Sequence, residues 1–406
     1  MDSYASSLIA KPRSRFIALI LLLIAGAGTI QAQTPAAALA LNESGKAKYT
    51  QGDRQGAIAD FSKAIAVDPR YAMAYNNRGA TRNDLGDHDG AIADFNRAIE
   101  IDPALAKAFY NRGVARKAKG DSDGAFSDYS KAIELDQRYA SPYNNRGHLR
   151  MERREYAEAI ADFNKALEID PRFALAYLNR GIARGERGDY DGAIADFNKS
   201  IEIDPSNALA YVNRGFAKYS KGDSAAAMAD YSKSLELDSR AADTFIRRGI
   251  LRIDQDDYQG GLADYDSALA IDPGNVWAYY ARGYAKDKKK DFRGAIADYR
   301  KAIAINSSYE AAYNAFAWLL ATAPQSEFRN GPLAVEYASR ACTLTEWKNP
   351  RYLDTLAASY AQAGDFNEAI KWQQKALSFS EFATSEGEEA RARLKLYQSH
   401  RPFRDK

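Results

Sequence analysis

The sequence predicts an all-α solenoid, a stack of helical hairpins, and three recurrences at one spacing carry that prediction. Asp68, Asp102, Asp136, Asp170, Asp204, Asp238 and Asp272 stand 34 residues apart, with Asn306 in the eighth place, and proline directly follows five of the aspartates. Glycine keeps the interval at Gly45, Gly79, Gly113, Gly147, Gly181, Gly215, Gly249 and Gly283, and so does an aromatic series from Phe61, Phe95 and Tyr129 to Tyr299. With 46% apolar and 27% charged positions among 406 residues, the chain has the material to bury a core.

Ahead of the repeats, Lys11, Arg13 and Arg15 precede an unbroken apolar run over 16–25 that passes into small residues around Ala32. That is the pattern of a Sec signal peptide over 1–32, cleaved after Ala32, and it places the mature chain in the periplasm or outside the cell. The run is shorter than the roughly 20 residues of a bilayer-spanning helix, so no stable membrane span is expected after cleavage. The alternative is an uncleaved N-terminal anchor that tethers the chain to the inner membrane. The leader carries three of the 56 basic and one of the 54 acidic residues, which leaves 53 of each sign, interleaved along the chain. A nucleic-acid partner is not expected, because no basic field is concentrated anywhere. Cys342, the only cysteine, has no partner for a disulfide within the chain.

One unit shows how the local structure arises. Tyr75, Gly79 and Arg82 share a helical stripe, Gly86-Asp87 breaks it, and AIADFNRAIEI begins a second helix at Ala91. Gly86 suits the left-handed end of the first helix, Asp87 caps the second, and Asp102-Pro103 stops it. Ala91, Phe95 and Ala98 form the buried face of the second helix, and Gly79 opposite Ala91 lets the two helices approach closely.

The 34-residue period, the aromatic-glycine pair, the Ala-Phe-Ala spacing and the proline stop resemble the tetratricopeptide repeat family from about Ala38 to Leu377. The resemblance implies a right-handed superhelical solenoid of about ten helix-turn-helix repeats, occupying 33–380. The repeats fall near 38–71, 72–105, 106–139, 140–173, 174–207, 208–241, 242–275, 276–309, 310–348 and 350–380. The ninth departs from the pattern, with Ala317 in place of its glycine and about five extra residues in ATAPQSEFRNGP. Residues 381–406 form a capping helix, centred on 386–397, and a tail.

Two polar series accompany the repeat. Arg78, Arg112, Arg146, Arg180, Arg214, Arg248 and Arg282 precede the glycines, while Asp60, Asp94, Asp128, Asp162, Asp196, Asp230, Asp264 and Asp298 precede the second-helix aromatics. Both stop together: the ninth and tenth units carry Phe316 and Leu356 for arginine, Tyr337 and Trp372 for aspartate. An Arg-Asp ladder between neighbouring helices is expected, fixing register between units.

The family resemblance implies that a further series, Asn77, Asn111, Asn145, Asn179 and Asn213, lines the inner surface, where amides bond a peptide backbone irrespective of its side chains. Tying neighbouring first helices together is the other role open to them. By the same resemblance, the second, fifth, ninth and twelfth places of each first helix face a concave groove. In the first four repeats these places hold Asn42, Lys46, Asn76, Asn83, Lys107, Lys117, Ser141, Asn144 and His148 among a few apolar residues. From the fifth on the floor turns apolar and aromatic, with Leu178, Ile182, Phe216, Tyr219, Ile250, Trp277, Tyr280, Tyr284 and Trp318. Such a stripe is either a partner's anchor site or packing between first helices.

Chemistry finds no foothold. His88, His148 and His400 show neither metal-ligand spacing nor a nucleophile partner, Gly45-Lys46 lacks the rest of a phosphate loop, and the carboxylates recur at fixed places in every unit. No enzyme activity, metal or cofactor is expected. The reading is an adaptor or scaffold of the cell envelope that holds a protein or peptide partner in the groove. Two alternatives remain open: a structural spacer in a secretion or polysaccharide-export assembly, and a carbohydrate-binding module with Trp277, Tyr280, Tyr284 and Trp318 as stacking platforms.

Overall fold

A computed structural model describes residues 35–405, and the leader expected over 1–32 lies outside them. Among the described residues there are 22 α-helices and one 3₁₀ turn, with no strand. The chain divides after Asp204 into two compact units. The N-terminal unit contains the helix over 35–50, then Arg54–Val67, Ala72–Asp84, His88–Ile101, Ala106–Ala118, Ser122–Leu135, Ala140–Glu152, Tyr156–Ile169, Ala174–Glu186 and Tyr190–Ile203. Ala208–Ser220, Ser224–Leu237, Ala242–Asp254, Tyr258–Ile271, Val276–Lys288, Phe292–Ile305, Glu310–Thr322, Gly331–Leu344, Pro350–Ala363, Phe366–Leu377, Ser380–Ser385 and Gly387–Gln398 make up the C-terminal unit. Within each unit successive helices pack as hairpins, the arrangement of a helical-repeat solenoid.

The hairpin closes on the residues that repeat. Ala91, Phe95 and Ala98 are wholly buried. A methyl group at Gly79 would sit 2.8 Å from Cε1 of Phe95 and 3.1 Å from the carbonyl oxygen of Ala91. Only a residue without Cβ therefore lets the ring lie flat against the facing helix. Gly86 ends the first helix at φ +82°, and the Asp87 carboxylate accepts the Gly90 N–H at the start of the second. Three turns keep this left-handed geometry without glycine: Arg154, Asp256 and Lys290 have φ of 61°, 62° and 64°.

In the ninth repeat a 3₁₀ turn at Ser326–Phe328 takes up the additional residues, and Asn330 caps Gly331–Leu344 by accepting from Leu333 N–H. Phe316, wholly buried, packs its ring 5.0 Å from that of Tyr337, so an aromatic pair stands where earlier repeats have arginine and aspartate. Leu356 and Trp372 share one apolar cluster in the tenth. The closing helix Gly387–Gln398 does more than shield the stack. Its Arg393 reaches the buried Asp354 at 3.0 Å, and Tyr397 is wholly buried.

Candidate functional site

The arginine and aspartate series pair two-handed inside each hairpin. Arg112 Nε and Nη2 donate to the Asp128 carboxylate at 3.0 and 2.7 Å, and the same fork recurs from Arg78–Asp94 through Arg282–Asp298. The expected ladder between units is therefore first a clasp within one. A third arginine nitrogen supplies the link between repeats, Arg112 Nη1 donating to Asn96 Oδ1 at 2.7 Å and Arg78 Nη1 to Ser62 Oγ at 3.1 Å. A second cation, one helical turn on, also serves each aspartate: Arg82 Nη1 meets Asp94 at 2.8 Å, Arg116 meets Asp128 at 2.8 Å, and Lys286 meets Asp298 at 2.8 Å. The sequence reading missed this series, although its 34-residue recurrence was the available signal. Buried carboxylates held by two cations each are structural, because their charge is already matched inside the hairpin.

The asparagines are engaged with one another. Asn77 Nδ2 donates to Asn42 Oδ1 at 2.9 Å, Asn111 to Asn76 at 3.0 Å, Asn179 to Asn144 at 3.0 Å, and Asn145 to Tyr110 Oη at 3.4 Å, while Asn213 bonds the Leu209 carbonyl of its own helix at 2.8 Å. Of the two roles open to this series, the tie between neighbouring first helices is the one that Asn77, Asn111 and Asn179 fill in the free chain. Neighbouring first helices bring the amides within reach of one another, Asn179 buried and the other four half-buried. Asn42, Asn76 and Asn144, expected on a polar floor, are buried as the acceptors of these bonds.

Within the N-terminal unit Leu178 is only 3% exposed, so it belongs to packing rather than to a binding floor, and Ile182 is half-buried. The C-terminal unit keeps its aromatic stripe open. Phe216, Tyr219, Trp277 and Tyr284 are exposed at 41%, 40%, 39% and 43%, the first two on Ala208–Ser220 and the last two on Val276–Lys288, the first helices of two hairpins. A hollow of about 230 Å³ is lined by Ile250, Ile253, Asp254, Tyr265, Trp277, Tyr280, Ala281 and Tyr284. Tyr280 forms its inner wall, its ring meeting that of Tyr309 edge-on at 5.5 Å, so it is partly a packing residue. Cations stand over two of the exposed rings, Arg247 at 5.3 Å from Phe216 and Lys288 at 5.3 Å from Tyr284.

Trp318, expected on the same floor, is covered instead. Its indole N–H donates to the Asp405 carboxylate at 3.1 Å, and its ring lies 5.8 Å from that of Phe403. The covering residues belong to the C-terminal tail, which sequence reasoning did not connect with the stripe. Beside them Asp287 carries a carboxyl pushed up to about 6, first by burial and then by the Asp405 charge, against the lowering effect of Lys288.

Cys342 is wholly buried among Leu353, Leu356 and Ala376, and burial pushes its thiol up to about 12, which keeps it protonated and unreactive. Among the described residues no group of three His, Cys, Asp or Glu side chains could hold a metal ion. No helix among them is long and apolar enough to cross a membrane.

Models described as tetratricopeptide repeat match residues 42–106, 106–139, 140–173, 163–195, 208–240, 278–309 and 351–381, and one described as TPR repeat matches 185–222. No curated protein matches the chain. Among solved structures, a tetratricopeptide repeat protein from Parabacteroides merdae is 21% identical over 62% of this chain and 99% of its own, with a TM-score of 0.47. MamA is 27% identical over 41% and 96%, with a TM-score of 0.37. Yeast Tom70 is 18% identical over 89% of both chains, with a TM-score of 0.41.

Proposed function

Because this chain belongs to the tetratricopeptide repeat family, whose models match more than half of its length, we propose that it is an interaction scaffold whose partner segment anchors on the exposed aromatic stripe of the C-terminal unit. The observation that carries the reading is the exposure of Phe216, Tyr219, Trp277 and Tyr284, four large rings that the fold leaves open, the last two lining an apolar hollow. Leaving such rings in water forgoes their burial, and aromatic residues of this kind are the usual anchors of interfaces. The proposal gives the partner an apolar or aromatic side chain for the hollow between Ile250 and Trp277. Acidic groups flanking it would suit Arg247 and Lys288.

The cell envelope is the setting we propose, on the strength of the leader pattern over 1–32. The test is affinity capture from envelope extract with the wild-type chain and with a Phe216→Ala, Trp277→Ala, Tyr284→Ala variant of matched thermal stability. A protein retained by the first and lost from the second identifies the partner and its anchor. An unchanged set of captured proteins would remove binding from this stripe. N-terminal sequencing of the envelope-derived chain tests the setting, a start at residue 33 supporting export with cleavage and a start at Met1 opposing it.

A further inference from the structure

Residues 402–405 bear on the binding chemistry of the stripe. After the helix Gly387–Gln398 the backbone turns at His400, which has φ of 53°, and the tail crosses to the helix Glu310–Thr322. Asp405 N–H donates to the Thr322 carbonyl at 2.9 Å and Arg404 Nη1 to the Ala321 carbonyl at 3.4 Å. These carbonyls belong to the last turn of that helix, where the backbone oxygens have no partner in the helix and favour a cation. The Phe403 ring packs on Trp318, with the Arg393 guanidinium 5.6 Å from both rings, and the Asp405 carboxylate accepts from the Trp318 indole. A cavity of about 80 Å³ is lined by Asp405 together with Trp318 and with Asp287, one turn beyond Tyr284 on the helix Val276–Lys288. The tail thus adjoins the stripe described above.

Its place in the repeat gives the contact its meaning. Trp318 stands 34 residues after Tyr284, and Phe216 stands 34 before Ile250, so these four residues occupy one equivalent position in successive units. At that position Phe216 and Tyr284 are open at 41% and 43%, whereas Trp318 has an aromatic ring, a carboxylate and a backbone segment laid over it. We infer that the tail is a tethered ligand of this face, and that an external partner binds at Trp318 by displacing it. The partner would be an extended segment carrying an aromatic residue followed by an arginine and a carboxylate. The inference rests on the proposed role of the stripe and adds to it a recognition chemistry and a built-in competitor. The aromatic residue would stack on Trp318, the arginine would meet the carbonyls at the end of Glu310–Thr322, and the carboxylate would take the indole N–H. A tail joined by a short link has an effective concentration on the order of millimolar, so it would hold off weak ligands and yield to strong ones.

The probe is a fluorescein-labelled synthetic peptide of residues 399–406, titrated by anisotropy against the full chain and against a chain ending at Arg401. The truncated chain should bind it at least tenfold more tightly than the full chain, and a peptide with Phe403→Ala should lose that binding. The full-length Phe403→Ala variant, whose tail is weakened but present, should also admit the unsubstituted peptide more tightly than the wild type. Equal binding to full and truncated chains, or no binding to a truncated chain that melts cooperatively, would overturn the inference. So would a truncated chain that no longer folds, because a strap required for folding cannot give way to a partner. The capture test on Phe216, Trp277 and Tyr284 does not involve the tail, so the stripe could stand while the tethered ligand falls.

Discussion

The Trp318 indole donates to the carboxylate of Asp405, a residue 87 positions further along the chain, at 3.1 Å. The bond joins a first-helix residue of the ninth repeat to the tail beyond the cap. It therefore converts a position that the repeat pattern assigns to an open floor into a covered one. It also sets a carboxylate near Asp287, whose own carboxyl is pushed up to about 6.

Asp287 should make stability fall as pH rises from about 4 to about 6. Its folded-state proton affinity is raised, so its contribution is full below the unfolded value near 4 and lost as pH passes through about 6. Ionising it in the fold costs at most about 3 kcal/mol by this linkage. Asp287→Asn should match the wild type in urea melts near pH 4 and exceed it near pH 7.5. Parallel curves at both pH values would show that the carboxyl titrates normally.

Breaking one rung of the polar clasp should be costly. Asp128→Asn weakens contacts to both Arg112 and Arg116 in a buried setting, and a loss of about 3 kcal/mol is expected in chemical denaturation. The ninth repeat shows an apolar substitute, Phe316 on Tyr337. Arg112→Phe combined with Asp128→Tyr should therefore recover part of the loss seen in either single variant. A double-mutant cycle measures the coupling, and strict additivity would refute the exchange.

Close approach and left-handed geometry give opposite signs at two positions. Gly79→Ala places a methyl group 2.8 Å from Phe95 and should destabilise by about 2 kcal/mol. Arg154→Gly relieves a side chain held at φ 61° and should stabilise by about 0.5–1 kcal/mol, read as a rise in melting temperature.

Trp277 and Tyr280 should separate binding from packing. Trp277 is 39% exposed, and Trp277→Ala should cost less than about 1 kcal/mol. Tyr280 packs against Tyr299 and Tyr309 at 6.3 and 5.5 Å, so Tyr280→Ala should cost about 3 kcal/mol. Equal losses from thermal melts would mean that both rings are core.

Much of the hairpin was legible because its determinants lie close together along the chain and recur. Arg78 finds Asp94 sixteen residues on, and Gly79 and Phe95 have the same separation, so a single unit carries both partners of each contact. The paired loss of arginine and aspartate in the ninth and tenth repeats correctly marked them as mutual partners, since Phe316 and Tyr337 replace them together. The asparagine network was readable in principle, from pairs 35 residues apart such as Asn42 with Asn77 and Asn144 with Asn179. The choice between that role and a ligand contact stayed open because an asparagine facing a neighbouring helix and one facing a ligand have the same periodicity.

The sequence by itself determined the helical repeat, its hairpin and the polar clasp, because periodic residues meeting at constant separation specify one local geometry many times over. Tertiary structure decided which members of an equivalent series stay open. Ile182 and Ile250 are half-buried, Phe216 and Tyr284 are exposed, and Trp318 is covered by Phe403 and Asp405. Exposure at a repeated position depends on neighbours that do not repeat, above all on a tail that returns from far along the chain, and a period cannot encode a contact made once.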